Sequence, residues 1–185
     1  MRILCLGDSN TYGYDPRGFW GGRYGPEVRW PDLLAAKTGW NVVNEGVSGQ
    51  CVPCALPADL SDAGCILVML GTNDLLQGDA PGEIAERMNA FLKQLLPLCP
   101  HPVLIAPPPM KRGAWVPSQE LIDRSGLLAR EYQRIARELS IPFADTRGWQ
   151  IGMTFDGVHF SEEGHRRFAA QLLEVLSSLF PDTVE

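Results

Sequence analysis

Along this chain, short apolar runs alternate with longer stretches in which apolar residues recur every three to four positions. The runs at residues 2–6, 40–44, 65–70, 102–106 and 142–145 are too short for helices and are bounded by Gly, Pro or polar residues, so they predict strands. Several carry no polar residue at alternate positions, the pattern of strands buried on both faces of a sheet. The longer stretches predict helices at 31–38, 80–96 and 118–139. Pro31 suits the first turn of the first of these and Gly39 its end. A last helix opens near Ser161, whose hydroxyl can cap it while Glu162 and Glu163 favour the positive end of its dipole, and it runs to about Leu179.

Strands that alternate with helices, with no linker-like stretch between them, predict parallel pairing through right-handed crossovers. The expected fold is a three-layer α/β/α sandwich around a five-stranded parallel sheet in the order 2-1-3-4-5. The chain has 185 residues, and at about 150 residues per domain the remainder is too short for a second core, so one domain over residues 1–185 is expected. The segments 12–29 and 107–117 are rich in Gly, Pro and aromatic residues, which suits the walls of a site.

Charge narrows the partners. Sixteen Lys and Arg against 22 Asp and Glu leave a net charge of −6, which repels phosphate backbones and anionic membranes, so neither nucleic acid nor a membrane surface is expected as a partner. No apolar run approaches the roughly 18 to 20 residues that cross a bilayer. Residues 1–7 are basic then apolar, but Asp8 follows before the ~7 to 15 residues of a secretion signal's apolar region are complete. This start reads as a buried strand and the cytoplasm as the expected location. Five cysteines, an odd number, point to reduced thiols rather than a disulfide framework.

Ligands of open parallel sheets bind beyond the carboxyl ends of the strands. The residues there are polar: Gly7-Asp8-Ser9-Asn10 after the first strand, Glu45-Gly46-Val47-Ser48-Gly49 after the second, Gly71-Thr72-Asn73-Asp74 after the third, and Asp156-Gly157-Val158-His159 after the last. Together they hold the parts that acyl transfer needs. Ser9, at a strand-to-helix corner behind Gly7, is the candidate nucleophile. His159 is the candidate base, able to take a proton and return it to a leaving alcohol. Asp156, three residues earlier, can hold the imidazole in one tautomer. The main-chain N–H groups of Ser9 and Gly49 and the side-chain amide of Asn73 are candidate oxyanion donors; glycine at 49 lets the main chain approach a substrate closely. Tyr12, Trp20, Trp30 and Trp115, with Tyr14 and Phe19, fall in or beside the long loops and are candidates for an apolar substrate slot.

These residues resemble the SGNH or GDSL hydrolases. Ser9, Gly49, Asn73 and His159 match the four residues that name that family, and Asp156 matches the acid of its Asp-x-x-His motif, in family order. The resemblance implies a flavodoxin-like fold and hydrolysis of esters or thioesters through an acyl-serine intermediate, with no metal or other cofactor. Within the family, residues 23–30, Leu70-Gly71-Thr72-Asn73-Asp74 and Pro107-Pro108-Pro109 look like the arylesterase and acyltransferase branch. That branch favours short acyl groups, some members pass the acyl group to alcohols or peroxide, and several are homo-oligomers. One departure is Asn10, where the family's best-known motif has Leu.

Other readings are weaker. Acetylated carbohydrates, thioesters and lysophospholipids would use the same machinery. A catalytically silent flavodoxin-like binding module is the alternative outside enzymes, but a phospho-acceptor receiver needs a Lys after the fifth strand and none follows Lys111. Residues 7–13 lack the Gly-Lys-Ser/Thr ending and the G-x-G-x-x-G spacing of nucleotide loops. Cys51-Val52-Pro53-Cys54 has no second pair to complete a zinc site, and its proline lies after the second strand rather than at a thioredoxin-like first crossover. Asp8 and Asp74 read as turn-bonding carboxylates, and His101 as structural. His165 reads as a surface or packing residue, with the base role as its substitute part should His159 lie far from Ser9.

Overall fold

The computed structural model describes residues 1–18, 20–56, 60, 62–99 and 101–181. Five parallel strands form the central sheet: β1 (Arg2–Gly7), β4 (Asn41–Gly46), β5 (Cys65–Met69), β6 (Pro102–Ile105) and β7 (Phe143–Ala144), in the order β4-β1-β5-β6-β7. Counted among these five alone, this is the expected 2-1-3-4-5. A separate two-stranded antiparallel piece, β2 (Tyr14–Asp15) with β3 (Gly22–Arg23), lies within the first long loop. Such short pairs carry too few residues for a hydrophobic period, so the pattern along the chain does not reveal them.

The alternation of side chains across the pleat explains the apolar runs. Leu4 and Leu6 of β1, Ile66 and Val68 of β5, and Leu104 of β6 point into one core layer. Ile3, Cys5, Cys65, Leu67, Met69, Val103 and Ile105 point into the other. The first layer is closed by α4 (Pro81–Leu95) and α5 (Gln119–Leu139), the second by α2 (Trp30–Thr38) and α6 (Glu162–Leu179). Strand β4 is an edge strand and leaves Asn41 and Glu45 exposed.

Side-chain caps begin two of the helices near where the sequence places their starts. Ser161 Oγ accepts from Gly164 N at 3.1 Å and Ser118 Oγ from Leu121 N at 3.3 Å, each satisfying an N–H that an isolated helix end leaves open. Two short helices sit at the carboxyl edge of the sheet, α1 (Ser9–Tyr12) and α3 (Thr72–Leu76). Each begins directly after a central strand. Among the described residues, no helix is long and apolar enough to cross a membrane.

Candidate active site

The sheet brings three loops together at its carboxyl edge. Strand β1 lies between β4 and β5, with Gly7 in register with both Gly46 and Met69, so the segments that carry Gly49 and Asn73 leave on either side of Ser9. Ser9 opens α1, held by the buried Asp8, whose side chain caps that helix by accepting from Asn10 N at 2.9 Å. Asp8 thus makes the local turn bond expected of it. Burial pushes its pKa up to about 6, against the lowering effect of the Asn10 N–H and of the nearby His159.

The fourth loop comes from far along the chain. Thr154 N donates to His159 O at 2.8 Å and closes the segment into a tight excursion that ends at α6. Inside it Asp156, with no exposed surface, collects four donors. Its Oδ1 accepts from Val158 N at 2.8 Å, His159 N at 2.9 Å and Thr154 Oγ1 at 2.9 Å. Its Oδ2 lies 2.7 Å from His159 Nδ1. Burial alone would raise the Asp156 pKa, but the donors from His159 and Val158 outweigh it and hold the group at about 2. An ionised carboxylate at this position favours the tautomer with its proton on Nδ1. Nε2 is then an acceptor, and Ser9 Oγ stands 3.0 Å from it. Serine, histidine and aspartate, separated by 150 positions between the first two, thus form one hydrogen-bonded line.

The candidate anion donors sit on the segments that follow β1, β4 and β5. Gly49 occupies the Val47–Gln50 turn, closed by Gln50 N on Val47 O at 3.1 Å, with φ of +80° and open space where a Cβ would stand. The left-handed backbone, and not only close approach, calls for glycine here. Among the described residues no protein acceptor takes the N–H of Ser9 or Gly49. Asn73 Nδ2 gives one hydrogen to Gln50 O at 2.9 Å, which fixes the plane of the amide and leaves its second hydrogen for a ligand.

Asp74 does something other than cap a turn. Its carboxylate, 1% exposed, accepts from Val52 N at 3.1 Å and from Arg87 Nη2 at 2.8 Å. It ties the segment after Gly49 to α4. Only the tertiary contact reveals this; the tetrapeptide around it reads as a turn.

The proposed aromatic walls divide. Tyr12 and Trp20 line an open cleft of about 630 Å³ with Tyr14, Gly46, Val47 and Ser48, beside the Gly49 turn. Trp20 is 90% exposed, and the Arg23 guanidinium lies over Tyr12 at 4.3 Å. Trp115 stands edge-on to the His159 ring at 5.1 Å, and Tyr14 flanks that ring at 4.7 Å. Trp30 is a correction: it opens α2 and its side chain is 1% exposed in the core against Phe168, with Nε1 donating to Asn10 O at 3.1 Å. An indole so enclosed lines no slot. Phe19 lies outside the described residues.

The remaining histidines stand apart from this line. His165 is fully buried rather than on the surface, packed on Tyr24 and Phe160, and its Nδ1 accepts from Trp30 N at 3.4 Å. Burial, with Arg29 and His159 nearby, lowers its pKa to about 3. His101 precedes β6 at the opposite edge of the sheet and packs on Phe180. Cys51 and Cys54 are free thiols. Among the described residues, no group of three or more His, Cys, Asp or Glu is gathered in a way that would hold a metal ion.

An α/β/α sheet with this hydrogen-bonded line of serine, histidine and aspartate at its carboxyl edge fits an ester-hydrolysing enzyme of the serine type. Comparison with known proteins agrees. The chain belongs to the GDSL-like Lipase/Acylhydrolase family, which matches residues 5–167. Its fold is similar to the aryl esterase of M. smegmatis, with 29% identity, 96% of this chain and 99% of that chain covered, and a TM-score of 0.82. It is also similar to Est24, a carbohydrate acetylesterase from Sinorhizobium meliloti, at 24% identity, 97% and 99% coverage and a TM-score of 0.83. No curated relative matches the sequence.

Proposed function

We propose that the chain hydrolyses short-chain carboxylic esters, aryl or alkyl, with Ser9 as nucleophile, His159 as general base and acid, and Asp156 as the group that orients it. The observation that carries this reading is the 3.0 Å approach of Ser9 Oγ to His159 Nε2, with Asp156 at 2.7 Å behind the ring. Ser9 Oγ attacks the acyl carbon as its proton passes to Nε2. The oxyanion so formed takes hydrogen bonds from Ser9 N, Gly49 N and Asn73 Nδ2. Collapse expels the alcohol, protonated by the imidazolium, and leaves acyl-Ser9. Water then repeats the sequence, giving the acid and free Ser9. An alcohol or peroxide in place of that water would make the same steps an acyl transfer.

A fluorophosphonate probe tests the assignment. It should label the wild-type chain at residue 9 and leave Ser9→Ala unlabelled and inactive on 4-nitrophenyl acetate; labelling of Ser9→Ala equal to wild type would remove Ser9 from the mechanism.

A second reading keeps the chemistry and makes the alcohol a sugar. The open cleft of about 630 Å³ beside Gly49, floored by Tyr12, Tyr14 and the exposed face of Trp20, has room for a ring and aromatic faces on which a ring can stack. The likeness to a carbohydrate acetylesterase supports it at the level of fold. A panel of aryl acetates against acetylated sugars separates the two by kcat/KM.

A further inference from the structure

Asn10 stands next to Ser9 in sequence and is buried at 5% exposure. Its side-chain amide reaches across to the fourth loop and bonds on both sides of His159. Nδ2 donates to Val158 O at 3.1 Å, and Oδ1 accepts from Phe160 N at 2.8 Å. The amide therefore grips the main chain as a neighbouring strand would, with the base between its two contacts. The main chain of Asn10 is itself fixed at both ends. Its N–H is held by Asp8 Oδ1 at 2.9 Å, and its carbonyl accepts from the buried Trp30 Nε1 at 3.1 Å. All four polar groups of the residue are engaged.

The bonds within the fourth loop have a different reach. Asp156 holds Val158 N, His159 N and His159 Nδ1, so it shapes the turn and the ring within one segment. None of those bonds connects the segment to the corner that carries Ser9. Asn10 makes that connection.

We infer that Asn10 is a positioning residue: by clamping Val158 and Phe160 to the first turn of α1, it sets the distance between Ser9 Oγ and His159 Nε2. The inference rests on the reading of Ser9 and His159 as the reacting pair. It gives the Asn that stands where the family's best-known motif has Leu a specific task. Leucine has the bulk for the same space but neither donor nor acceptor, and would leave Val158 O and Phe160 N buried without these partners.

The test uses Asn10→Leu and the isosteric Asn10→Asp, which keeps an acceptor for Phe160 N while its carboxylate cannot donate to Val158 O. Four readouts are taken: kcat and KM on 4-nitrophenyl acetate, the rate of fluorophosphonate labelling at Ser9, the melting temperature, and the low-field proton NMR signal of His159 Nδ1–H. Because a displacement of about 1 Å at reacting atoms costs about 10²-fold, Asn10→Leu should lose about 10- to 100-fold in kcat and labelling rate, with KM within about twofold. Asn10→Asp should fall between it and wild type. The low-field signal should persist in both, since the His159–Asp156 bond lies inside the turn that Asn10 only anchors. A folded variant with wild-type kcat would overturn the inference. So would loss of the low-field signal together with kcat, which would make Asn10 a residue of the fold rather than of the Ser9–His159 spacing. Should Asn10→Leu be insoluble, Asn10→Asp carries the same readouts. A wild-type chain that the probe does not label at Ser9 would instead count against the proposed function.

Discussion

Gly113 offers a test of how Asp156, the acid proposed to orient His159, is held, because it acts on Asp156 without touching any reacting atom. The segment 111–116 is stitched to the fourth loop by three main-chain bonds: Lys111 N to Gly157 O at 2.9 Å, Ala114 N to Phe155 O at 3.0 Å and Trp115 N to Asp156 O at 3.0 Å. At Gly113 the two backbones nearly touch. A Cβ there would stand 2.3 Å from Asp156 C, 2.4 Å from Gly157 N and 2.5 Å from Asp156 O. All three are main-chain atoms, so no side chain can swing aside. Ordinary contact begins near 3.4 Å, and Gly113→Ala must therefore part the strap and the Asp156 peptide by about 1 Å. Asp156 passes that movement to His159 through a 2.7 Å hydrogen bond, and a misplacement of this size costs about 10²-fold in rate. The expected result is kcat on an aryl ester about 10²-fold lower, with the protein folded. Gly126→Ala is the control: it lies in α5 with nothing within 4 Å of the added methyl, and should keep wild-type kcat while stabilising by about 0.5–1 kcal/mol. Wild-type kcat and melting temperature in Gly113→Ala would refute the argument that the strap fixes the acid.

Two further outcomes follow from other parts of the site. Asn73→Ala removes one of the three proposed anion donors and should lower kcat by about 10² to 10³; steady-state kinetics on the folded variant check it, and an unchanged kcat would remove Asn73 from the proposed oxyanion hole. Asp8→Asn keeps the cap on α1 but removes a buried carboxyl whose pKa is raised from 3.8 to about 6. A raised pKa means stability present below pH 4 and lost as pH climbs through 6, by up to about 3 kcal/mol. Denaturant titrations should show the advantage of Asp8→Asn over wild type growing between pH 4 and 7; an offset that does not vary with pH would count against this ionisation.

The fold was readable wherever burial imposes a period. Strands β1, β5 and β6 alternate between two apolar layers, so nearly every position is apolar, and α4, α5 and α6 each present one apolar face to the sheet. Edges blurred where the chain leaves the sheet: β7 is Phe143–Ala144, shorter than the expected 142–145. Ser9, Asp156 and His159 stood out because they lie in turn-rich loops that come after predicted strands. What the sequence concealed are contacts between loops distant along the chain. Trp30 looked like a neighbour of the loop aromatics, yet as the first residue of α2 it turns inward onto α6. Asp74 looked local, and its partners are Val52 and Arg87. Asn10 was noticed as a departure, but its task depends on Val158 and Phe160, which no spacing near residue 10 indicates.

The same contacts resolve an electrostatic difficulty. The site proposed to hold an oxyanion has three buried carboxylates about it, Asp8, Asp74 and Asp156, in a chain of net charge −6. Unopposed, they would work against the anion. Their partners sort them by position. Asp74, which bonds the segment after Gly49, is paired with Arg87 and accepts a main-chain N–H, so its charge is met beside the oxyanion loop. Asp156 lies instead on the side of His159, bonded to its ring, while Asp8, beside Ser9 and within reach of both His159 and Asp74, has its charge disfavoured by burial. The tetrahedral state carries two charges, an anion beside Gly49 and Asn73 and a cation on the imidazole. Asp156, bonded to the ring, stabilises the second. With the proposed roles of these residues, the arrangement would favour the charge-separated state over the neutral Michaelis complex, the differential binding from which rate enhancement derives.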